Sequence, residues 1–376
     1  MGQLVELRKT AGFGRTNVRK GLPVSGRSAV GLDIGTTGVR AAQISWSKGQ
    51  MTLERFGQVA LPPGAVRDGE VVDTDIVAAA IRELWTRVKF STRKVVVGVA
   101  NQKVIVRQVD LPWMPLPELR KSLAFQVADL IPMPVENAIL DMHPLEEVED
   151  ENGRRQRILL VAASREMVQS LIGAVEAAKL IPTSVDLNSF AVLRVLAAVD
   201  SLGLANRAEA LIDVGASVTN IVVSEGGVPR FVRILLMGGG DITENIADRM
   251  GVSPEQAEGI KQHAFLPALP DDPEASASTR ITESAAAEWV EEVRGSLDYY
   301  FAQAGSARVS RIVLSGGGSQ LGGLARRLAL TTRLPVEPAA PLAAMHIGKT
   351  GLSEDQLNYL QAFSAVPVGL AMANAA

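Results

Sequence analysis

The chain has 376 residues, of which 47% are hydrophobic and 21% are charged. This length and composition allow a large buried core and favour two domains over one. The net charge of -3 and the pI near 5.8 give no reason to expect DNA or RNA as a partner. The absence of cysteine excludes disulfides, thiolate chemistry and cysteine-ligated metals.

Residues 1–27 differ in composition from the rest of the chain. Six basic residues stand against one acid, Glu6, with glycines between them: Arg8, Lys9, Arg15, Arg19, Lys20 and Arg27. This pattern predicts a flexible basic arm, either a solvated tail or a tether to an anionic membrane surface. Because the sequence contains no membrane-spanning apolar run and no signal-peptide core, we expect a cytoplasmic protein.

A small-residue turn divides two apolar runs at residues 30–45, VGLDIGTTGVRAAQIS, which predicts a strand, a tight turn and a second strand. The amides of Gly35, Thr36 and Thr37 can point inward and form a small anion-binding nest. Asp33 ends the first strand, where a carboxylate can hold Mg²⁺ through water against a bound phosphate. An ordinary hairpin turn is the alternative.

The same pattern occurs again at residues 211–224, LIDVGASVTNIVVS, which indicates duplicated halves. Four residues of the second copy repeat those of the first: Asp213 for Asp33, Gly215 for Gly35, Ala216 for Thr36 and Ser217 for Thr37. A third motif, IVLSGGGSQLGGL at residues 312–324, predicts a strand followed by a loop over which a purine and ribose can lie, at Gly316, Gly317, Gly318 and Ser319. A further glycine run precedes a helix predicted over 241–250 with Asp241 as its N-cap, and it favours close approach of a nucleotide at Gly238 and Gly239.

In this order, the motifs resemble those of the actin-like ATPase superfamily. The resemblance implies an α/β protein with the actin-like ATPase fold, in which two duplicated lobes enclose a nucleotide cleft. It implies ATP and Mg²⁺ as cofactors, with the metal held by Asp33 and Asp213 through water. It also adds Arg40 in the first hairpin and, as ribose and base contacts, Glu258 and Lys261.

A segment between the two halves narrows the resemblance to a family. Residues 111–141, LPWMPLPELRKSLAFQVADLIPMPVENAILD, resemble the segment that marks the PilM family of type IV pilus assembly proteins, which is related to the cell-division protein FtsA. The similarity covers about residues 28 to 373. It implies an inserted FtsA-like 1C subdomain, with strands at 139–144 and 157–163 joined by a solvated acidic loop, Glu146 to Gly153.

The resemblance also implies a division of the chain. We expect the arm at 1–27, subdomain 1A at 28–100, the inserted 1C at 101–182, and a return to 1A with a connecting helix at 183–207. Subdomain 2A follows at 208–240, subdomain 2B at 241–307, and the remainder of 2A with the last connecting helix at 308–376. Within these segments, a helix is predicted over 184–199, a mobile loop over 266–287 and a helix over 287–304.

The function implied by the resemblance is an ATP-binding adaptor in pilus, competence or type II secretion assembly. Its implied partner is the N-terminal tail of a PilN-like inner-membrane protein, with pilus assembly ATPases as further partners. We expect it at the inner face of the cell membrane through these partners. The peptide is expected in an apolar groove of the insertion, at Trp113, Met114, Ala124, Met133 and Val168. The alternative is that these side chains fill the core of the subdomain.

Two other functions remain open: a filament-forming FtsA-like division protein and a kinase of the same superfamily. Heat-shock ATPases of this fold place a glutamate where this chain has Asn188. An amide cannot act as a base at neutral pH, so we expect at most a slow ATPase.

Overall fold

The computed structural model describes residues 28–373 except 48, 152, 200–207, 266–275 and 304. The predicted basic arm therefore lies outside the described residues, as do residues 266–275 of the loop expected over 266–287. Within the described part of the chain, no helix is both long enough and apolar enough to cross a membrane.

The first lobe is built on a mixed sheet of six strands in the order β10-β6-β1-β2-β3-β16. The two central strands are almost wholly buried, because helices cover both faces of the sheet. A two-stranded ribbon, β4 and β5, lies beside it. The strands of the sheet and ribbon are β1 Ser28–Ile34, β2 Gly38–Ser47, β3 Gln50–Ala60, β4 Val66–Arg67, β5 Glu70–Val71, β6 Lys94–Val99, β10 Ile181–Leu187 and β16 His346–Ile347.

Helix α1, Thr74–Val88, packs on this sheet through an apolar stripe that contains Val77, Ile81 and Leu84. Asp73 caps it, since its carboxylate accepts hydrogen bonds from the amides of Asp75 and Ile76 at 3.0 and 2.9 Å. The sequence predicted this helix to within one residue at each end.

The insertion has its own three-stranded antiparallel sheet in the order β7-β9-β8 and its own apolar core. Its strands are β7 Val104–Pro112, β8 Ala138–Asp150 and β9 Gly153–Ser164. Helix α2, Leu116–Gln126, packs on the sheet and is followed by 3₁₀ turns at Ala128–Leu130 and Val135–Asn137, whereas α3, Arg165–Ala177, packs on the first lobe.

The acidic run at 146–153 was predicted as a solvated loop, and this prediction was wrong. Most of it belongs to β8, because arginines on the opposite strand neutralise its carboxylates. Arg157 lies 3.2 Å from Glu146, and Arg154 pairs with Glu147. Cross-strand pairs of opposite charge favour the extended hairpin over a loop.

The second lobe repeats the first around a sheet in the order β13-β12-β11-β14-β15. Its strands are β11 Ala208–Val214, β12 Thr219–Glu225, β13 Val228–Leu235, β14 Val309–Ser315 and β15 Val336–Pro338, and its helices are α5 Gly239–Met250, α6 Pro254–His263, α7 Ala277–Phe301 and α8 Leu324–Thr332. The register shows the duplication, because Asp33 is opposite Arg40 in one hairpin and Asp213 is opposite Asn220 in the other.

The insertion also touches the second lobe. Gln108 on β7 donates a 2.6 Å hydrogen bond to the carbonyl oxygen of Arg230 on β13. The guanidinium of Arg230 lies 3.6 Å from Glu146 of the insertion and 3.0 Å from Glu225 of its own lobe. The insertion therefore contacts both halves of the duplicated fold.

Two helices pack against each other beside the first sheet: α4, Asn188–Val199, and α10, Ala365–Met372, which follows α9, Glu354–Leu360. Gly369 permits their close approach, because a Cβ there would lie 1.9 Å from the carbonyl oxygen of Ala191. Arg194 of α4 forms a buried ion pair with Asp186 at 2.7 Å and also donates to the carbonyl of Gly369. Arg194 therefore links α4 both to α10, through Gly369, and to β10, through Asp186.

Three predicted helix starts were wrong. Residues 184–187 are strand, so α4 begins at Asn188 rather than at Ser184. Helix α5 begins at Gly239, and Asp241 serves as its third residue, accepting a hydrogen bond from the amide of Gly238 at 2.6 Å. Helix α7 begins at Ala277 instead of Ala287, because Ser276 caps it and the Ser and Ala residues that suggested a loop carry its first turns.

Candidate functional site

A cavity of about 660 Å³ lies between the two lobes, within the range of small-molecule sites. The turns of both hairpins, the start of α5, one face of α6 and the glycine loop after β14 form its wall. Fourteen of the residues that the sequence proposed for nucleotide or metal line it: Asp33, Gly35, Thr36, Thr37, Arg40, Asp213, Gly215, Ala216, Gly239, Glu258, Lys261, Gly316, Gly317 and Gly318.

Three proposed contacts do not line the cavity and support its wall instead. The hydroxyl of Ser217 lies 2.5 Å from that of Thr36, and the hydroxyl of Ser319 donates to the carbonyl of Gly316 at 2.6 Å. Gly238 packs on the second hairpin, where a Cβ would lie 2.4 Å from the carbonyl oxygen of Gly215.

The two hairpin turns share one backbone geometry. The amide of Gly35 donates to the carbonyl of Gly38 at 3.0 Å, and the amide of Gly215 donates to that of Val218 at 2.9 Å. Among the described residues, the following amides, those of Thr36 and Ala216, have no hydrogen-bond acceptor. Each turn therefore offers free N–H groups to an anion in the cavity.

Two carboxylates, Asp33 and Asp213, are each 8% exposed at the ends of β1 and β11. Burial raises the pKa of Asp213 to about 6, although Ser315 donates a 2.8 Å hydrogen bond to it and so opposes the rise. Burial also raises the pKa of Asp33, against the effect of Arg40, whose guanidinium lies 3.6 Å away. Both carboxylates are thus held in an environment that favours their neutralisation.

Magnesium fits this pair. Mg²⁺ is usually bound by one or two carboxylates together with phosphate oxygens and water rather than by a full protein cage. Over the residues that the structure describes, there is no cluster of three or more metal-ligating side chains. A divalent cation in this cavity would therefore need a phosphate ligand and the Asp33 and Asp213 carboxylates.

Asn188 begins α4 at the cavity wall. Its side chain lies beside Asp33, where it opposes the rise in the pKa of that carboxyl, and its Oδ1 is buried without a partner among the described residues. It lies so close to Gly98 that a Cβ there would be 2.1 Å from this oxygen. An amide therefore stands beside Asp33, with a buried acceptor at the wall.

Another part of the cavity wall combines a glycine loop with a charged cluster. Gly316 has φ of +86° and packs on β11, where a Cβ would lie 2.3 Å from the carbonyl oxygen of Val214. Lys261 lies 2.6 Å from Glu258 and donates to Thr243 and to the carbonyl of Gly239, both at 2.8 Å. Burial raises the pKa of Glu258, but the hydrogen bonds from Lys261 and Thr243 outweigh it, so its pKa lies below the usual value. Glu258 is therefore an anion that accepts hydrogen bonds.

Sequence reasoning missed several lining residues. Asn220 could have been found as the repeat of Arg40, and Gly240 and Gln262 are neighbours of predicted residues. Gln320 and Leu321 directly follow the proposed Ser319 in the third motif. Others come from distant segments and gave no local signal: Gly69, Gly98, Ala100, Tyr359, Phe363 and Val366.

The proposed peptide-binding residues do not form one surface. Trp113 is 40% exposed, donates to Glu147 at 3.1 Å and lies under Arg154, whereas Ala124 is exposed on α2. Met114 and Met133 pack against the insertion core. Val168 is 5% exposed within the core of the first lobe, so its expected place in a groove was wrong.

Two lobes of repeated topology, joined around a cleft with paired Asp-containing hairpins, define an actin-like ATPase fold. A solved structure of MreB5 of Spiroplasma citri bound to ADP shares this fold, with a TM-score of 0.50 and 12% identity, and covers 92% of this chain and 95% of that one. A solved PilM-PilN type IV pilus biogenesis complex is more similar, with a TM-score of 0.81 and 29% identity over 93% of this chain and 98% of that one.

The family described as type IV pilus assembly protein PilM matches residues 31–375. The chain belongs to this family, and the resemblance seen in the sequence is confirmed. The cell division protein FtsA of Bacillus subtilis (strain 168) is a more distant relative, 24% identical over 270 residues. The match covers 65% of this chain and only 60% of that FtsA.

Proposed function

We propose that this protein is a nucleotide-binding adaptor of type IV pilus assembly that holds ATP with Mg²⁺ between its lobes. The observation that carries the proposal is the convergence on one cavity of two turns closed by the same backbone hydrogen bond, each preceded by a buried aspartate. The ADP-bound relative with the same fold supports the choice of nucleotide.

Different residues have different roles in the proposed nucleotide site. Free amides of both turns bind phosphate oxygens, and Arg40 adds positive charge beside Asp33. Asp33 and Asp213 would hold Mg²⁺, which would supply positive charge against the phosphates. Since Asn188 cannot remove a proton from water, the site is suited to holding the nucleotide rather than turning it over quickly.

We further propose that the adaptor binds the N-terminal cytoplasmic tail of a PilN-like inner-membrane protein. The PilM-PilN complex, whose PilM-like chain is 29% identical to this one, supports this partner. The exposed apolar side chains of the insertion offer a surface for it: Trp113, Leu116, Phe125 and Leu130. Such binding would keep the protein on the cytoplasmic face of the membrane, within reach of pilus assembly ATPases.

Calorimetric titration of the full chain with ATP, with and without Mg²⁺, tests the nucleotide site. The double variant Asp33→Ala, Asp213→Ala should lose the magnesium-dependent part of the affinity. Asp298→Ala is the matched control, because that carboxylate is 61% exposed on α7. If the double variant keeps the magnesium dependence of the wild type, the carboxylates are structural and the proposal fails.

A further inference from the structure

Two aromatic rings lie on the cavity wall. Neither has a role in the proposed binding of phosphate or metal. Tyr359, near the end of α9, and Phe363, just before α10, are the aromatic side chains among the described residues of the lining. Their ring centroids are 4.9 Å apart and their planes are tilted by 46°. They form one continuous aromatic surface on the wall of the cleft.

This surface is fixed to the glycine loop. The amide of Gly316 donates a 2.7 Å hydrogen bond to the carbonyl of Ala362, between the two rings in sequence. Phe363 packs directly on Gly317, where a Cβ would lie 2.9 Å from Cε1 of the ring. The segment is therefore held against the glycine loop after β14, over which the sequence predicts the purine and ribose to lie.

The two rings differ in how much of their surface remains open to a ligand. Phe363 is already covered by Gly317 and faces the guanidinium carbon of Arg40, 5.5 Å from its centroid. Tyr359 touches Phe363 but remains 54% exposed at the cavity wall. An aromatic ring that is held in place with its surface open presents a flat π-system to a ligand.

We infer that Tyr359 is the nucleobase contact of this site, with its ring packed against the base of the bound nucleotide. This inference rests on the proposed nucleotide function. Since a purine covers more of the ring than a pyrimidine does, the contact favours ATP over CTP. Gln320 and Gln262 line the same cavity and supply amide groups for the edge of the base.

Calorimetry on the full chain separates base binding from phosphate binding when three probes are compared: ATP, CTP and tripolyphosphate, each with Mg²⁺. Tyr359→Ala should weaken ATP binding by roughly fivefold to a hundredfold, the range seen when a base-stacking aromatic is removed. It should leave tripolyphosphate binding unchanged and narrow the preference for ATP over CTP. Tyr359→Phe should retain wild-type affinity.

Tyr299→Ala is the matched control, because Tyr299 is 61% exposed on α7 and does not line the cavity. Unchanged ATP affinity in Tyr359→Ala, or equal losses for ATP and tripolyphosphate, would overturn the inference. A wild-type protein that binds tripolyphosphate as tightly as ATP would also overturn it, while leaving the phosphate site intact. If the wild type binds none of the three probes, the proposed function fails together with the inference.

Discussion

The hydroxyl groups of Thr36 and Ser217 lie 2.5 Å apart, although the two residues are separated by 181 positions in the sequence. Thr36 directly follows the first glycine of its turn and Ser217 lies one residue further along in the other turn, and their hydrogen bond joins the lobes at the cavity. The hydroxyl of Thr36, which lines the cavity, could donate to a phosphate instead. The bond between the lobes and a bound phosphate would therefore compete for this hydroxyl.

A double-mutant cycle on this pair gives the first prediction. Thr36→Val and Ser217→Ala should each lower the free energy of unfolding by about 1 kcal/mol, and their coupling should be about 0.5 to 1.5 kcal/mol. Urea unfolding of the ligand-free protein measures both. Thr36→Val combined with Ser310→Ala is the control, since Ser310 bonds to the carbonyl of Ala208 at the far end of β14 and should be additive. Additivity in the first pair would show that the contact adds nothing to stability.

The second prediction follows from the raised pKa of Asp213. The native protein retains this proton up to a pKa of about 6, whereas the unfolded chain loses it near 3.8. Stability therefore falls as the pH rises from about 4 to about 6 and remains lower above that range. Asp213→Asn removes the buried charge and keeps an acceptor for Ser315, so it should raise the free energy of unfolding at pH 7.5 on the order of 2 kcal/mol.

Urea unfolding at two pH values checks this. The gain from Asp213→Asn should be present at pH 7.5 and should nearly vanish close to the unfolded-state pKa. Asp298→Asn, on the exposed face of α7, should change stability little at either pH. A less stable Asp213→Asn protein at pH 7.5 would mean that the site stabilises the carboxylate.

Local patterns in the sequence were enough to predict the parts of the site that lie within single hairpins. Apolar runs around Asp33 and Asp213 predict strands, and the small residues after them predict turns. Both carboxylates and most of the turn residues were therefore found. Helix α1 was predicted because its cap and its apolar stripe are both local. The proposed subdomain boundaries remain predictions.

The parts that could not be predicted depend on contacts between distant segments. Tyr359 and Phe363 reach the cavity only because the carbonyl of Ala362 accepts from Gly316. The acidic strand β8 was taken as a loop because its arginine partners lie on β9, and pairing across strands is not visible in a single segment. Val168 was placed at a surface because an apolar helix face does not reveal whether it packs on the first lobe or on the insertion.

Asn188 gives the third prediction. Because the Asn188 amide cannot act as a base at neutral pH, ATP turnover by the purified protein should stay well below the ordinary enzyme median of about 10 per second. Phosphate release at saturating ATP and Mg²⁺ measures the rate. Asp33→Ala provides the background of contaminating activity. A rate at or above that median would favour the kinase alternative over an adaptor that holds its nucleotide.

The last prediction concerns the partner surface on the insertion. Phe125 is 85% exposed on α2, next to the exposed Ala124, and Leu116 and Leu130 are further exposed apolar side chains of the insertion. A peptide bound here would cover these side chains, and burial of a large aromatic ring is the kind of contact that dominates binding energy. Phe125→Asp should therefore weaken binding of a synthetic PilN-like N-terminal peptide by roughly 30-fold, and Ala124→Glu should weaken it in the same direction.

Fluorescence anisotropy of the labelled peptide measures this affinity, and circular dichroism verifies that each variant is folded. Leu330→Glu is the matched control, because Leu330 is 54% exposed on α8 in the other lobe and should leave binding unchanged. Val168→Glu is unsuitable as a surface probe, since a charge at that buried position should destabilise the first lobe by about 3 kcal/mol or more. Folded Phe125→Asp and Ala124→Glu proteins that bind the peptide as the wild type does would show that the peptide binds elsewhere.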